Sequence, residues 1–323
     1  MWKADPFQLL IRISTLLFSI RDLRTHLPQT NDSRHRRHRY GRRRTDVVTD
    51  PISLAPAFAG VGRVYHAAAC VSFGGKRDRE QLRAVNVRGT ANVVNAALEA
   101  DVRRLVHVSS IAAIGRPESP QSVIDETTPW VESPVNSEYA CSKRRAETEV
   151  QRGVAEGLDA VIVNPALIFG RTLPGQNTRA IAEAVRDERL PGVPSGGTNV
   201  VDVKDVAAGL RRAMQHGETG ERYVLGGENL SWRGIVDALA AAFAVEPPRF
   251  EVPPRAALGA AWLAEAAARL TRTEPLLTRE TARTGSRFYR YDNKKARHDL
   301  GYTFRPFRET ARRLASNLRR ENR

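Results

Sequence analysis

Short apolar stretches alternate with longer amphipathic ones along most of the chain. Helical periodicity appears at about 78–99 and again at 137–157. The apolar stretches between these helices are typical of buried strands: GRVYHAAA (62–69), RRLVHVSS (103–110) and DAVIVNPA (159–166). Strands that alternate with helices of this length form parallel βαβ units, with helices on both faces of the sheet. The pattern therefore predicts an α/β fold with a doubly wound parallel sheet.

Candidate chemistry lies at the carboxyl ends of these strands, where such sheets place their sites. Ser110 ends the second strand, and Tyr139 and Lys143 share one face of the following helix because they are four residues apart. A neighbouring ammonium favours a phenolate, so Lys143 is expected to lower the pKa of Tyr139 by roughly 1–3 pH units. Ser110 would then polarise a substrate carbonyl while Tyr139 transfers the proton, and Lys143 would hold ribose hydroxyls of a nicotinamide cofactor.

The order of these motifs resembles a known family, the extended short-chain dehydrogenase/reductases of the NAD-dependent epimerase/dehydratase group, from about Val47 to Arg320. The matching stretches are VYHAAA (64–69), VNVRGTANVVNAALEADVRRLVHVSSIAAIG (85–115), YACSKRRAE (139–147), VNPALIFG (163–170), VVDVKDVAAG (200–209), RYVLGGENLS (222–231) and NKKARHDLGY (293–302). The resemblance implies a Rossmann-like sheet with a smaller C-terminal substrate-binding region. It also implies that Ser110, Tyr139 and Lys143 are the catalytic triad.

The same resemblance assigns cofactor-binding roles. Ala67 and Ala68 would let the backbone approach the dinucleotide, Asn86 would orient the active-site backbone, and Pro165 would lie beside the nicotinamide. Tyr139 and Lys143 would contact the cofactor as well as act in catalysis. The cofactor is expected to be NAD or NADP, with NADP favoured for a reductase.

Three further residues near the strand ends are expected to be structural. Ser109 supports the end of its strand. His66 and His107 lie within strands and are interpreted as packed residues rather than acid/base groups.

Within the family, VNPALIFG and GGTNVVDVKDVAAG resemble the dihydroflavonol-4-reductase-like branch. Sugar-nucleotide epimerases usually carry Arg-Asp-Phe where this chain has Thr198, Asn199 and Val200. Without that Arg, this chain lacks one charged hydrogen-bond donor for the phosphates of a sugar nucleotide. The prediction is an NAD(P)-dependent oxidoreductase that reduces a ketone or aldehyde. A nucleotide-sugar epimerase/dehydratase and a cofactor-impaired, inactive homologue remain alternatives.

The expected organisation has three parts. Residues 1–46 form a basic N-terminal segment, and residues 47–170 form the dinucleotide-binding core, to which 198–228 return. The substrate-binding region comprises 171–197 and 229–323. The expected partner is a small molecule. The resemblance also implies a possible homodimer, because members of that family usually dimerise through the helices at 78–99 and 137–157. Neither nucleic acid nor a membrane is an expected partner.

Composition supports a globular enzyme but sets the N-terminus apart. Hydrophobic residues make up 41% and charged residues 27% of the chain, as in soluble domains. The two cysteines lack ligand spacing, which predicts a reducing, cytoplasmic location and no structural metal. Of the net charge of +15, seven positive charges lie in residues 1–46, largely in RHRRHRYGRRRTD (34–46).

The N-terminal part of the chain also lacks the family's phosphate-binding loop, Gly-x-x-Gly-x-x-Gly, since residues 1–60 contain only Gly41 and Gly60. An apolar run at 7–20 is interrupted by Arg12 and is too short to span a membrane, so we expect a strand at LLIRIS (9–14) and a short helix. Three interpretations remain open. The segment is a frame-shifted or wrongly started translation, a divergent terminus whose basic charge contacts phosphate, or a nucleic-acid- or partner-binding arm.

Overall fold

The structure, a computed structural model, describes residues 8–11, 46–72, 78–116, 122–133, 136–170, 177–271 and 278–321. The strands are β1 (Gln8–Ile11), β2 (Arg63–His66), β3 (Arg104–Val108), β4 (Val123–Ile124), β5 (Ala160–Pro165), β6 (Leu167–Phe169), β7 (Val193–Pro194), β8 (Gly197–Asp202), β9 (Arg222–Leu225), β10 (Glu228–Ser231), β11 (Glu251–Val252) and β12 (Arg290–Tyr291). The helices are α1 (Asp46–Thr49), α2 (Pro51–Phe58), α3 (Arg79–Leu82), α4 (Gly89–Glu99), α5 (Glu138–Ala155), α6 (Asn177–Arg186), α7 (Val203–His216), α8 (Trp232–Phe243), α9 (Pro254–Thr271), α10 (Arg279–Gly285), α11 (Lys294–Leu300) and α12 (Phe307–Glu321). A π-helical stretch, Arg83–Arg88, joins α3 to α4, and a 3-10 turn, Ile111–Ala113, follows β3.

A five-stranded parallel sheet with the order β1-β2-β3-β5-β9 lies at the centre of the fold. Its two faces are covered by different helices because successive strand residues point to opposite sides. Val106 packs on one face with Leu210 of α7, and Leu105 packs on the other with Val93 of α4. The predicted α/β fold with a doubly wound, Rossmann-like parallel sheet is confirmed, as are the helices predicted at 78–99 and 137–157.

A second, smaller group of elements follows β5. Strand β8 pairs antiparallel with β10 and parallel with β6, and helices α6, α8 and α12 pack around this sheet. The stretch TNVVDV (198–203) therefore contributes most of β8 to the small sheet, whereas RYVLGG (222–227) contributes β9 to the large one. The domain boundaries themselves stay a prediction.

Part of the N-terminal prediction lies outside the described residues. Strand β1 covers the first three residues of LLIRIS, where the apolar pattern predicts a strand. It pairs with β2 in parallel. The short helix expected after it and the basic run up to residue 45 are not among the described residues. Within the described part of the chain, no helix is long and apolar enough to cross a membrane.

Candidate active site

Two serine caps bring the side chains of Ser110 and Tyr139 together. Ser110 follows β3 in an extended conformation, and its Oγ accepts a hydrogen bond of 3.1 Å from the backbone N–H of Ala112. Ser137 caps the start of α5, where its Oγ accepts from the N–H of Ala140 at 2.9 Å. Tyr139 therefore lies in the first turn of α5, and its side chain is hydrogen-bonded to that of Ser110. The predicted pair meets at the carboxyl edge of the sheet.

Lys143 lies one turn further along α5 and is almost completely buried, with 1% of its surface exposed. Its Nζ donates a 2.9 Å hydrogen bond to the carbonyl oxygen of Val108, at the end of β3. Burial lowers the pKa of Lys143 to about 8, and the nearby Glu147 carboxylate opposes that shift. The ammonium is therefore still mainly charged at neutral pH.

The pKa of Tyr139 differs from the sequence-based expectation. Burial raises it to about 12, and the hydrogen bond with Ser110 only partly opposes the increase. The expected lowering by Lys143 is wrong for this structure. The ammonium is hydrogen-bonded to the Val108 carbonyl, and the cost of desolvating a phenolate dominates. Tyr139 thus keeps its proton at neutral pH.

Asn86 connects the end of β2 to the helix that carries Tyr139 and Lys143. Its Oδ1 accepts from the backbone N–H of Cys70 at 2.7 Å, and its Nδ2 donates to the Cys70 carbonyl at 2.9 Å and to Ser142 Oγ at 2.9 Å. Asn86 is fully buried and lies in the π-helical stretch, a local widening that often marks functional positions. These hydrogen bonds to the Cys70 backbone are compatible with the backbone-orienting role expected of Asn86.

The small residues expected beside the cofactor lie at neighbouring strand ends. Ala67 and Ala68 directly follow β2, and Pro165 ends β5; all three are buried. Because parallel strands end at one edge, these positions face the same region as Ser110.

His66 and His107 are packed strand residues, as predicted. Both are fully buried on β2 and β3, with ring centroids 5.0 Å apart. His66 Nε2 lies 2.9 Å from Thr90 Oγ1, whereas neither ring nitrogen of His107 has a partner. Burial lowers the pKa of His66 to about 3 and that of His107 well below its ordinary range. Both rings are neutral at physiological pH and do not serve as acid/base groups.

Two buried residues at this edge were missed by the sequence reasoning. Glu147 has 1% of its surface exposed, and Asn164 is fully buried at the end of β5. Asn164 Nδ2 donates to Glu147 Oε1 at 2.6 Å and to the carbonyl oxygen of Ser110 at 2.9 Å. The signal in the sequence was the spacing, since Glu147 follows Lys143 by four residues and must share its helical face. Ser109 is buried directly after β3, and its expected role in supporting the strand end stays a prediction.

The residues at these strand ends fit the nicotinamide end of a dinucleotide. Lys143 uses one N–H donor on Val108, and an ammonium has three, so two remain for ribose hydroxyls. The glycine loop that would hold the pyrophosphate has no counterpart in the sequence of the first sixty residues. Residues 12–45, where that loop was sought, lie outside the described part of the chain.

Comparison with known proteins decides the family. Residues 23–226 match the NAD dependent epimerase/dehydratase family. The chain belongs to this family. Its members act as NAD(P)-dependent enzymes on small molecules, and this member has their Rossmann-like sheet.

Individual relatives of this family member include reductases. A Synechocystis protein provisionally named dihydroflavonol 4-reductase is 34% identical over 248 residues, covering 75% of this chain and 71% of the relative. A Stigmatella aurantiaca enzyme, 4-hydroxy-2-methyl-3-oxo-4-farnesyl-3,4-dihydroquinoline-1-oxide ketoreductase, is 31% identical, covering 78% and 76%. The crystal structure of gox2253 superposes with a TM-score of 0.72 at 34% identity, covering 85% of this chain and 84% of that one. The predicted similarity to the dihydroflavonol-reductase-like branch is confirmed.

Proposed function

We propose that this family member reduces a ketone or aldehyde with NAD(P)H, using Ser110, Tyr139 and Lys143. The observation that carries the proposal is the hydrogen-bonded pair of Ser110 and Tyr139, with Lys143 anchored one helical turn away. When bound, the nicotinamide supplies the hydride. Ser110 donates a hydrogen bond to the substrate carbonyl oxygen, and Tyr139 transfers its phenolic proton to that oxygen as the alkoxide forms.

The protonation states of the chain suit the reductive direction. Reduction needs an acid that still holds its proton when the carbonyl arrives, and the raised pKa of Tyr139 provides this at neutral pH. The charged Lys143 lies one turn along α5 from Tyr139, where the donors that it does not use on Val108 would hold the ribose of the cofactor. The names of the two curated relatives, a reductase and a ketoreductase, agree with this direction.

The region around β8 favours a substrate without a sugar diphosphate. Thr198 occupies the position where the epimerases carry Arg, and it offers no positive charge. Asn199 is buried, and its side-chain amide is hydrogen-bonded within the protein. Its Oδ1 accepts from the N–H of Gly227 at 2.8 Å, and its Nδ2 donates to Asn229 Oδ1 at 3.0 Å. A neutral carbonyl compound needs no cation at these positions.

The test is turnover of purified protein with NADPH and NADH against a panel of aliphatic and aromatic ketones and aldehydes. Y139F is expected to lower kcat by at least about 100-fold, because a positioned general acid contributes 10²–10⁴-fold, while cofactor affinity stays within about twofold. Y302F is the matched control, because Tyr302 is also buried but its hydroxyl has no hydrogen-bond partner. Full activity in Y139F, or turnover of nucleotide sugars with no carbonyl reduction, would refute the proposal.

The cofactor preference and location belong to the same proposal. We expect NADPH to be preferred, and a thermal-shift titration with the four dinucleotides measures this directly. At a ligand concentration one hundred times Kd, the stabilisation is about 2.7 kcal/mol, which is several degrees in Tm. Cys70 and Cys141 are both unpaired thiols, and the cytoplasm is the proposed compartment.

A further inference from the structure

We propose that Glu147 is a positioning residue of the active site, which keeps the Lys143 ammonium charged and ties helix α5 to the backbone of Ser110. The inference rests on the proposed function for its consequence in catalysis. Its physical content, a charge held beside Lys143, is measurable without any turnover.

The first argument is the placement of Glu147 on α5. Tyr139, Lys143 and Glu147 are spaced by four residues, so they line one face of the helix. All three are buried against the sheet, Glu147 and Lys143 to 1% exposure each. A carboxylate is rarely buried to this extent unless it has partners, so its partners show what it does.

The second argument is the contact with Asn164, which extends from Glu147 to the catalytic serine. The same Nδ2 of Asn164 donates to Glu147 Oε1 at 2.6 Å and to the Ser110 carbonyl oxygen at 2.9 Å. Lys143 makes a parallel connection from α5 to the Val108 carbonyl. Helix α5 is thereby attached to the end of β3 at two successive turns, and these attachments fix Tyr139 relative to Ser110.

The third argument concerns the charges around Glu147. Arg222 on β9 places Nη1 3.3 Å from Glu147 Oε2, and Arg144 on α5 places its Nη1 3.7 Å from the same oxygen. Asn164 on β5 donates a hydrogen bond to Glu147 Oε1. Burial raises the pKa of Glu147, and the contacts with Arg222, Asn164 and Arg144 oppose that shift. The carboxylate therefore has cations and donors on several sides that favour its charged form.

The charges that face Lys143 show why this carboxylate matters. His66 and His107 lie nearby on β2 and β3, but burial lowers the pKa of both rings and keeps them neutral. Among the described residues, Glu147 is the acidic group that raises the pKa of Lys143 against its burial. Without that carboxylate, Lys143 has no opposite charge to offset its desolvation and loses its proton at lower pH.

The experiment observes Lys143 directly in the full-length protein. The chain has six lysines, so NMR of protein labelled with ¹³C at the lysine ε carbon gives few signals, and K143M assigns the one of interest. In the native protein the Lys143 signal is expected to titrate near pH 8, well below exposed lysines. In E147Q, which keeps the shape and an acceptor for Asn164, the midpoint is expected to move down by about 1 pH unit. The charged share of Lys143 at pH 8 would then fall from about one half to about one tenth.

E149Q is the matched control. Glu149 lies on the same helix but pairs with Arg152 near the surface, so its removal should leave the Lys143 midpoint in place. An unchanged midpoint in E147Q, or a native Lys143 that titrates like an exposed lysine, would overturn the proposal. If E147Q does not fold, E147D provides the second variant: its shorter side chain draws the carboxylate back along the face that it shares with Lys143, so the Lys143 midpoint should move down by a smaller amount.

Activity provides the link to the proposed function. In E147Q, the alkaline limb of the kcat/KM profile should move to lower pH together with the NMR midpoint. If the Lys143 midpoint shifts in E147Q but the native protein has no reductase activity, the proposed function is refuted. The conclusion that Glu147 keeps Lys143 charged would still stand. A kcat/KM profile that keeps its alkaline limb while the midpoint shifts would refute the positioning role.

Discussion

Replacing His107 with leucine should stabilise the protein. The imidazole is fully buried on β3, and neither of its nitrogens has a hydrogen-bond partner. A buried polar group without a partner costs about 1–3 kcal/mol of folding free energy, and leucine has a similar volume without polar atoms. We therefore expect H107L to raise the free energy of unfolding at pH 7.5 by about 1–3 kcal/mol.

The pH dependence of the gain makes the prediction specific. His66 has a folded-state pKa of about 3, below its unfolded value of about 6.5, so the unfolded chain binds its proton first as the pH falls. The stability contributed by keeping this ring neutral is present above pH 6.5 and is lost as the pH falls towards 3. By linkage the loss is about 2 kcal/mol at pH 5. His107 acts in the same direction because its pKa is also lowered by burial. H107L removes one of the two losses, so its advantage over the native protein should widen between pH 7.5 and pH 5.

Urea unfolding at both pH values measures the effect. H216L serves as the control because His216 is exposed on α7, where a substitution should change stability by less than about 0.5 kcal/mol. If H107L is less stable than the native protein at pH 7.5, His107 has a hydrogen-bond partner after all. If the advantage does not widen at pH 5, His107 is not held neutral by burial.

Two other positions give sharp expectations. N86A should lower the free energy of unfolding by about 2–3 kcal/mol, at about 1 kcal/mol for each of the three hydrogen bonds that Asn86 makes. Reductase activity should fall by more than the loss of folded protein explains. Native activity in a folded N86A protein would contradict this expectation. D202A should cost about 2–4 kcal/mol, because Asp202 caps α7 and also accepts hydrogen bonds from Thr310 and Arg313 of α12. D202N, which keeps the cap acceptor, should recover part of that loss in urea unfolding.

The sequence predicted the elements of the sheet and the residues at its carboxyl edge because both depend on local patterns. Buried strands such as DAVIVNPA are continuous apolar runs, and Tyr139 and Lys143 are close in sequence, so their shared face follows from helical geometry. The pKa of Tyr139 could not be predicted in this way. It depends on how completely the folded chain buries the phenol, and burial by elements distant in sequence has no local sequence pattern.

The partners of Glu147 illustrate the same limit. Asn164 and Arg222 lie 17 and 75 residues away in sequence, and each reaches Glu147 only because β5 and β9 are neighbours in the sheet. The spacing alone placed Glu147 on the same face as Lys143, but only the strand order shows that this face is buried and charged.

Burying Lys143 and Glu147 makes the stability of each charge depend on its neighbours. Removing one partner of a buried ion pair costs about 3–5 kcal/mol, since the other charge is left uncompensated. Glu147 is buried to 1% exposure and its ion-pair partners are Arg222 and Arg144. Lys143 is equally buried and donates to the Val108 carbonyl. A fold that buries the lysine to bring it beside Tyr139 must therefore also bury its counter-charge, and α5 supplies that charge one turn later. If the proposed roles hold, the pattern Tyr-x-x-x-Lys-x-x-x-Glu places an acid, a cation and a counter-charge on one face of α5.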